Sequence, residues 1–121
     1  MKKIQDYVDR IDEELSDAKN YAEKYVECKS ENLDSNSRKY KEMAEDELKH
    51  ANYLHEMAVT EIQKLREKFT PPQFMLDEWE KSHKEYVEKT AWIKQMLTMW
   101  FLTTLWQHFD NTFGVKLWIL M

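Results

Sequence analysis

Apolar positions in the first quarter of the chain alternate in steps of four and three: Ile4, Val8, Ile11, Leu15, Ala18, Ala22 and Tyr25. This heptad spacing belongs to a helix that packs against another at a shallow angle, and it predicts a helix over residues 3–29. The stretch "SENLDSNS", rich in cap and turn residues, breaks the pattern. A second helix is expected over 36–69. At about 100° per residue it carries Tyr40, Ala44, Ala51, Leu54, Ala58, Ile62 and Leu65 on one face. "TPP" stops it, because Pro71 and Pro72 cannot continue a helix, although a proline can open the next one. A third helix over 73–104 aligns Met75, Trp79, Tyr86, Ile93 and Leu97. Short connections make sequential helices antiparallel neighbours. The pattern therefore predicts an all-α fold, an antiparallel bundle of three long helices, in one domain over residues 1–104.

The remaining residues, 105–121, abandon heptad order and are dense in Trp, Phe and Leu. This tail is expected to pack on its own bundle, with docking of a protein partner as the other reading. Asp110 and Lys116 interrupt it, which argues against a membrane role, and His108 belongs to no pattern.

Composition narrows the function. A charged fraction of 34% with one Gly and two Pro fits long helices joined by few turns. The net charge of -5, with no Lys/Arg cluster, excludes nucleic acid as an expected partner. The single Cys28 has no partner for an internal disulfide and fits a reducing compartment. The N-terminus lacks the apolar core of a signal peptide, and the most apolar run, Met96 to Trp106, is too short to span a bilayer. A cytoplasmic location is expected. No nucleophile–base triad, phosphate-binding Gly loop or redox Cys pair is visible, so hydrolase and nucleotide-binding functions drop out.

One residue disturbs the second helix. Glu47, in "AEDELKHANYLH", falls near the centre of the apolar stripe, and His50 lies one turn on, toward its edge. A carboxylate aimed into an apolar face is costly unless it is paired or bound to a cation. Glu and His at i and i+3 stand one above the other on a helix and can face one ion. That donor pair suits iron, manganese or zinc. The spacing alone is weak, since "EKSH", Glu80 to His83, repeats it; the position of Glu47 inside the stripe is what distinguishes the first match. Antiparallel packing around a turn near Asn32 brings Glu47 opposite residues 14–18. There Glu14 flanks the first helix's apolar face in a row with Tyr7 and Tyr21, while Glu13 points to solvent. Glu14, Glu47 and His50 are thus expected to converge between two helices.

A Glu on one helix and a Glu-x-x-His on the next resemble half of a ferritin-like di-iron carboxylate site. "EELSDAKNYAEKY" with Glu14 and Tyr21, followed by "AEDELKHANYL", is similar to the first helix pair of rubrerythrins and ferritins over about residues 10–60. The resemblance implies that Glu47 bridges two irons and that Glu14 and His50 are terminal ligands. Tyr21, or Tyr53, would lie close behind them. Full-length relatives repeat the arrangement on a second helix pair, which this chain lacks. The resemblance to encapsulated ferritins implies completion by a two-fold dimer, two irons per dimer, each copy giving Glu14, Glu47 and His50. The implied activity is iron oxidation, or handling of oxygen or peroxide, in a homodimer or higher homo-oligomer.

Two alternatives stand beside this. His55 and His83, with Glu61, form a weaker metal set that would take zinc, although a satisfied histidine pair explains the first two as well. The Met residues at helical spacing read as core filler. A non-enzymatic helical interaction or structural protein, with a metal-free bundle, is the competing function.

Overall fold

The computed structural model describes residues 2–101. They form three helices: α1, Lys2–Ser30; α2, Asp34–Lys68; and α3, Gln73–Thr98. The fold is an all-α three-helix bundle. The expected tail at 105–121 and the last residues of the expected third helix, 102–104, lie outside the described residues, as do His108 and any tail-borne partner site.

The chain reverses after α1 through a left-handed residue. Asn32 has φ 60°, which Asn tolerates better than most side chains. Its N–H donates to the Lys29 carbonyl (3.1 Å), and that of Leu33 donates to the Cys28 carbonyl (2.8 Å). This nested pair satisfies carbonyls that a helix end otherwise leaves open. Ser37, fully buried, donates its hydroxyl to the Asp34 carbonyl (2.9 Å) and so carries no orphan polar atom into the core. The second turn follows the expected proline stop, with Pro72 capping α3 and accepting at its carbonyl from Met75 and Leu76.

Cross-helix contacts fix the directions. Tyr21 meets Tyr40, Glu14 meets His50, and Lys3 meets Glu61, so α1 and α2 run antiparallel. Met75 joins Ile4 and Ile62, and His55 meets His83, so α3 runs antiparallel to α2 and parallel to α1. The main core collects Ile11, Leu15, Ala18, Ala22, Ala44, Leu48, Ala51, Leu54, Ile93, Met96 and Leu97. Every residue of the expected first stripe is buried except Val8, which is half-buried.

Backbone approach is closest between α1 and α2. The reason is a seam of small residues: Ala18 and Ala22 on α1 and Ala44, Ala51 and Ala58 on α2 have no exposed surface. Larger side chains there would force the helices apart. Ala18→Leu is accordingly expected to destabilise the fold by about 1–3 kcal/mol, read as a lower urea midpoint at unchanged slope. A midpoint equal to wild type would show that the seam is not tight.

The expected third helix is interrupted at Met99, after which Trp100 and Phe101 are again helical. Just before the break Thr98 donates its hydroxyl to the Lys94 and Gln95 carbonyls (2.9 and 3.4 Å). Thr60 makes the same kind of bond to Glu56 within an unbroken α2, so this bond alone does not stop a helix. Met99 then leaves helical geometry, at φ −132° and ψ 55°.

Candidate metal centre

α1 delivers Glu14 and α2 delivers Glu47 and His50 to one spot. One ligand atom from each, taken together, lies within 4.8 Å of the others. His50 Nδ1 is 3.6 Å from a Glu14 carboxylate oxygen and 3.7 Å from a Glu47 oxygen. Two ligands about 2.1 Å from a shared ion sit about 3.0 Å apart when cis and about 4.2 Å when trans. The two His50 separations fall between these limits, and the set as a whole spans up to 4.8 Å. Small side-chain adjustments would bring the three donors onto one cation, so the donor set fits a metal.

The local electrostatics ask for positive charge. Glu47 hydrogen bonds to Glu14 when it holds a proton, is partly desolvated, and faces the negative charge of Glu14; Asp17 adds to that repulsion. Together these push its carboxyl up to about 7, against a small opposing pull from His50. Two carboxylates this close ionise together only when something positive lies between them. A proton serves in the metal-free protein, and a divalent cation would serve better.

The cluster lies on the flank of the α1–α2 pair. Glu14 and Glu47 keep about a fifth of their side-chain surface exposed, and His50 keeps 55%. Met43 and Met57 flank the site on α2 and are also exposed, at 40% and 45%. At about 100° per residue both lie about 20° round the helix from His50, Met43 on one side and Met57 on the other, with Met57 about 80° from Glu47. This flank therefore presents apolar side chains around three metal-ligating ones.

The other expected site residues are placed differently. Tyr21, half-buried, stacks on Tyr40 with ring centroids 6.4 Å apart, on the same flank of α1 as Glu14. Tyr53 is 57% exposed. Six residues from Glu47, it is turned by about 120° away from it. His55 and His83 do meet: His55 Nε2 lies 2.8 Å from His83 Nδ1. Glu61 is not with them. It ion-pairs with Lys3 of α1 (3.2 Å) and with Lys64 (3.8 Å). Six residues beyond His55, it is turned by the same 120° and faces α1 rather than α3. Among the described residues, Glu14, Glu47 and His50 make the one group of three or more such ligands. Asp17 was not singled out from the sequence, although its place one turn after Glu14 is the signal that marks it.

No protein-family model, curated protein or solved structure matches the chain. Among the described residues, no helix is long and apolar enough to cross a membrane.

Proposed function

We propose that the protein binds iron through Glu14, Glu47 and His50, in a ferritin-like arrangement completed by a second copy of the chain. The observation that carries this reading is the convergence of two carboxylates and an imidazole from two helices within 4.8 Å. The raised Glu47 carboxyl supports it, because a bound cation relieves the same repulsion that a proton relieves.

Three protein ligands leave an iron open to other partners. A two-fold dimer, burying the open α1–α2 flank against its own copy, would bring six ligands around a pair of ions. Glu14 and Glu47 neutralise the charge of the metal pair, and His50 Nδ1 adds a softer donor that suits iron, with manganese and zinc as competitors. Glu14, Glu47 and His50 would hold ferrous iron, which would supply electrons to dioxygen or peroxide. The chain's own part is to hold those ions and to let the Glu47 carboxyl exchange its proton for metal. The lone, buried Cys28 accords with a reducing compartment such as the cytoplasm.

The test is metal content per chain after anaerobic loading with ferrous iron and desalting. Wild type is expected to retain about one iron per chain, and Glu47→Ala less than about a tenth of that. Absence of retained iron in wild type would overturn this reading. The bundle would then stand as a metal-free interaction protein.

A further inference from the structure

We propose that His55 and His83 form a second, independent cation site, a two-imidazole clamp between α2 and α3 for an imidazole-preferring divalent metal such as zinc. The two rings come from different helices, with centroids 5.0 Å apart and facing nitrogens 2.8 Å apart. Ligands about 2.0–2.1 Å from one ion are separated by about 2.9–3.4 Å. The rings need to open by only a few tenths of an ångström and turn to aim their lone pairs.

In the metal-free pair, one of the facing nitrogens carries the proton that the other accepts. Binding moves that proton to the far nitrogen of its own ring, so both facing nitrogens offer lone pairs and no net proton is lost. Stacking already sets the plane of the His55 ring, within which it can still turn. It stacks on Tyr86 at 4.4 Å and 14°, and the Tyr86 hydroxyl donates to Asn52 Oδ1 (3.1 Å). Asn52 Nδ2 in turn donates to Glu56 (3.1 Å). Burial, and then the neighbouring His83, hold the His55 imidazole below its ordinary value against a weaker opposing pull from Glu56, which favours the neutral ring a metal needs. His83 is exposed, which gives a cation a way in and leaves room for water to fill its remaining positions. Two histidines and water make an open site, unlike the closed four-ligand sites of structural zinc.

Placement gives the site a consequence. At the backbone, α2 and α3 approach each other less closely than either approaches α1. A cation shared by His55 and His83 ties together the least closely packed pair. It is therefore expected to raise the melting temperature by several degrees at saturating zinc. This site shares no residue with the iron site, so the two stand or fall separately.

The experiment is a zinc titration of the metal-free full chain, following histidine ring nitrogens by NMR. Saturating zinc is expected to shift His55 Nε2 and His83 Nδ1 together and to remove their exchangeable proton signature. His83→Gln, at an exposed position, is expected to weaken zinc binding at this site at least tenfold with an unchanged circular dichroism spectrum. Glu47→Ala is expected to leave it intact. Zinc that perturbs only His50, or that leaves both named nitrogens unshifted in wild type, would overturn the proposal. So would wild-type affinity in both His83→Gln and His55→Gln.

Discussion

Between pH 5 and pH 8 the metal-free protein is expected to lose stability through Glu47, and Glu47→Gln is expected to remove that loss. The folded carboxyl holds its proton up to about 7, whereas its ordinary value is 4.5. A raised carboxyl pKa means that the folded state binds the proton more tightly than the unfolded chain. Its contribution is fully present below about 4.5, fades as pH rises, and is gone above about 7. Glu47 remains partly exposed, so water screens much of the effect. A gain of about 1–2 kcal/mol for Glu47→Gln over wild type at pH 8, shrinking toward zero near pH 4.5, is the expected size. Urea unfolding of both proteins at several pH values measures it. A stability difference that does not change with pH would show that Glu14 and Glu47 do not share a proton. The same competition governs metal. Below about pH 7 a cation must displace the Glu47 proton, so iron affinity is expected to fall by up to about tenfold per pH unit.

The candidate site was legible because helix geometry is stiff. Steps of four and three put Ile11, Leu15 and Ala18 on one face, and the turn near Asn32 then sets the antiparallel register. Once that register is known, Glu14 must pass near Glu47 and His50, whatever the details of the side chains. The His55–His83 meeting was legible for the same reason. Glu61 fails as their third ligand because a face is defined by angle and not by nearness in sequence, and Lys3 claims it from α1. The end of α3 was not legible from periodicity at all. Ile93 and Leu97 continue the stripe up to Thr98, and the break at Met99, after which Trp100 and Phe101 are helical again, interrupts a helix that the apolar pattern alone would have continued smoothly. Nor does a stripe tell which flank a third helix leaves open. That depends on α3 settling beside Leu48 and His55, on the far side of α2 from Met43 and Met57.

A charge placed on that open flank is expected to separate the proposed dimer and to abolish iron retention without harming the fold. Met57 is 45% exposed, two turns on from His50 and only about 20° round the helix from it. Under two-fold pairing the flank of one copy meets the flank of the other, so Met57→Glu introduces two like charges at or near the contact. In a desolvated interface such a pair costs several kcal/mol, enough to weaken dimerisation by a hundredfold or more. The monomer should change by less than about 1 kcal/mol, because nearly half of the replaced side chain is already in water. Val87→Glu on α3 supplies the control: Val87 is 50% exposed and outside the flank, so it adds the same charge without touching the proposed contact. Sedimentation velocity and iron content, measured on the same samples, should fall together in Met57→Glu and stay at wild-type values in Val87→Glu. Full iron retention by a monomeric Met57→Glu would break the link between the two. Glu14, Glu47 and His50 would then hold their metal within a single chain, and no second copy would be needed to complete the site.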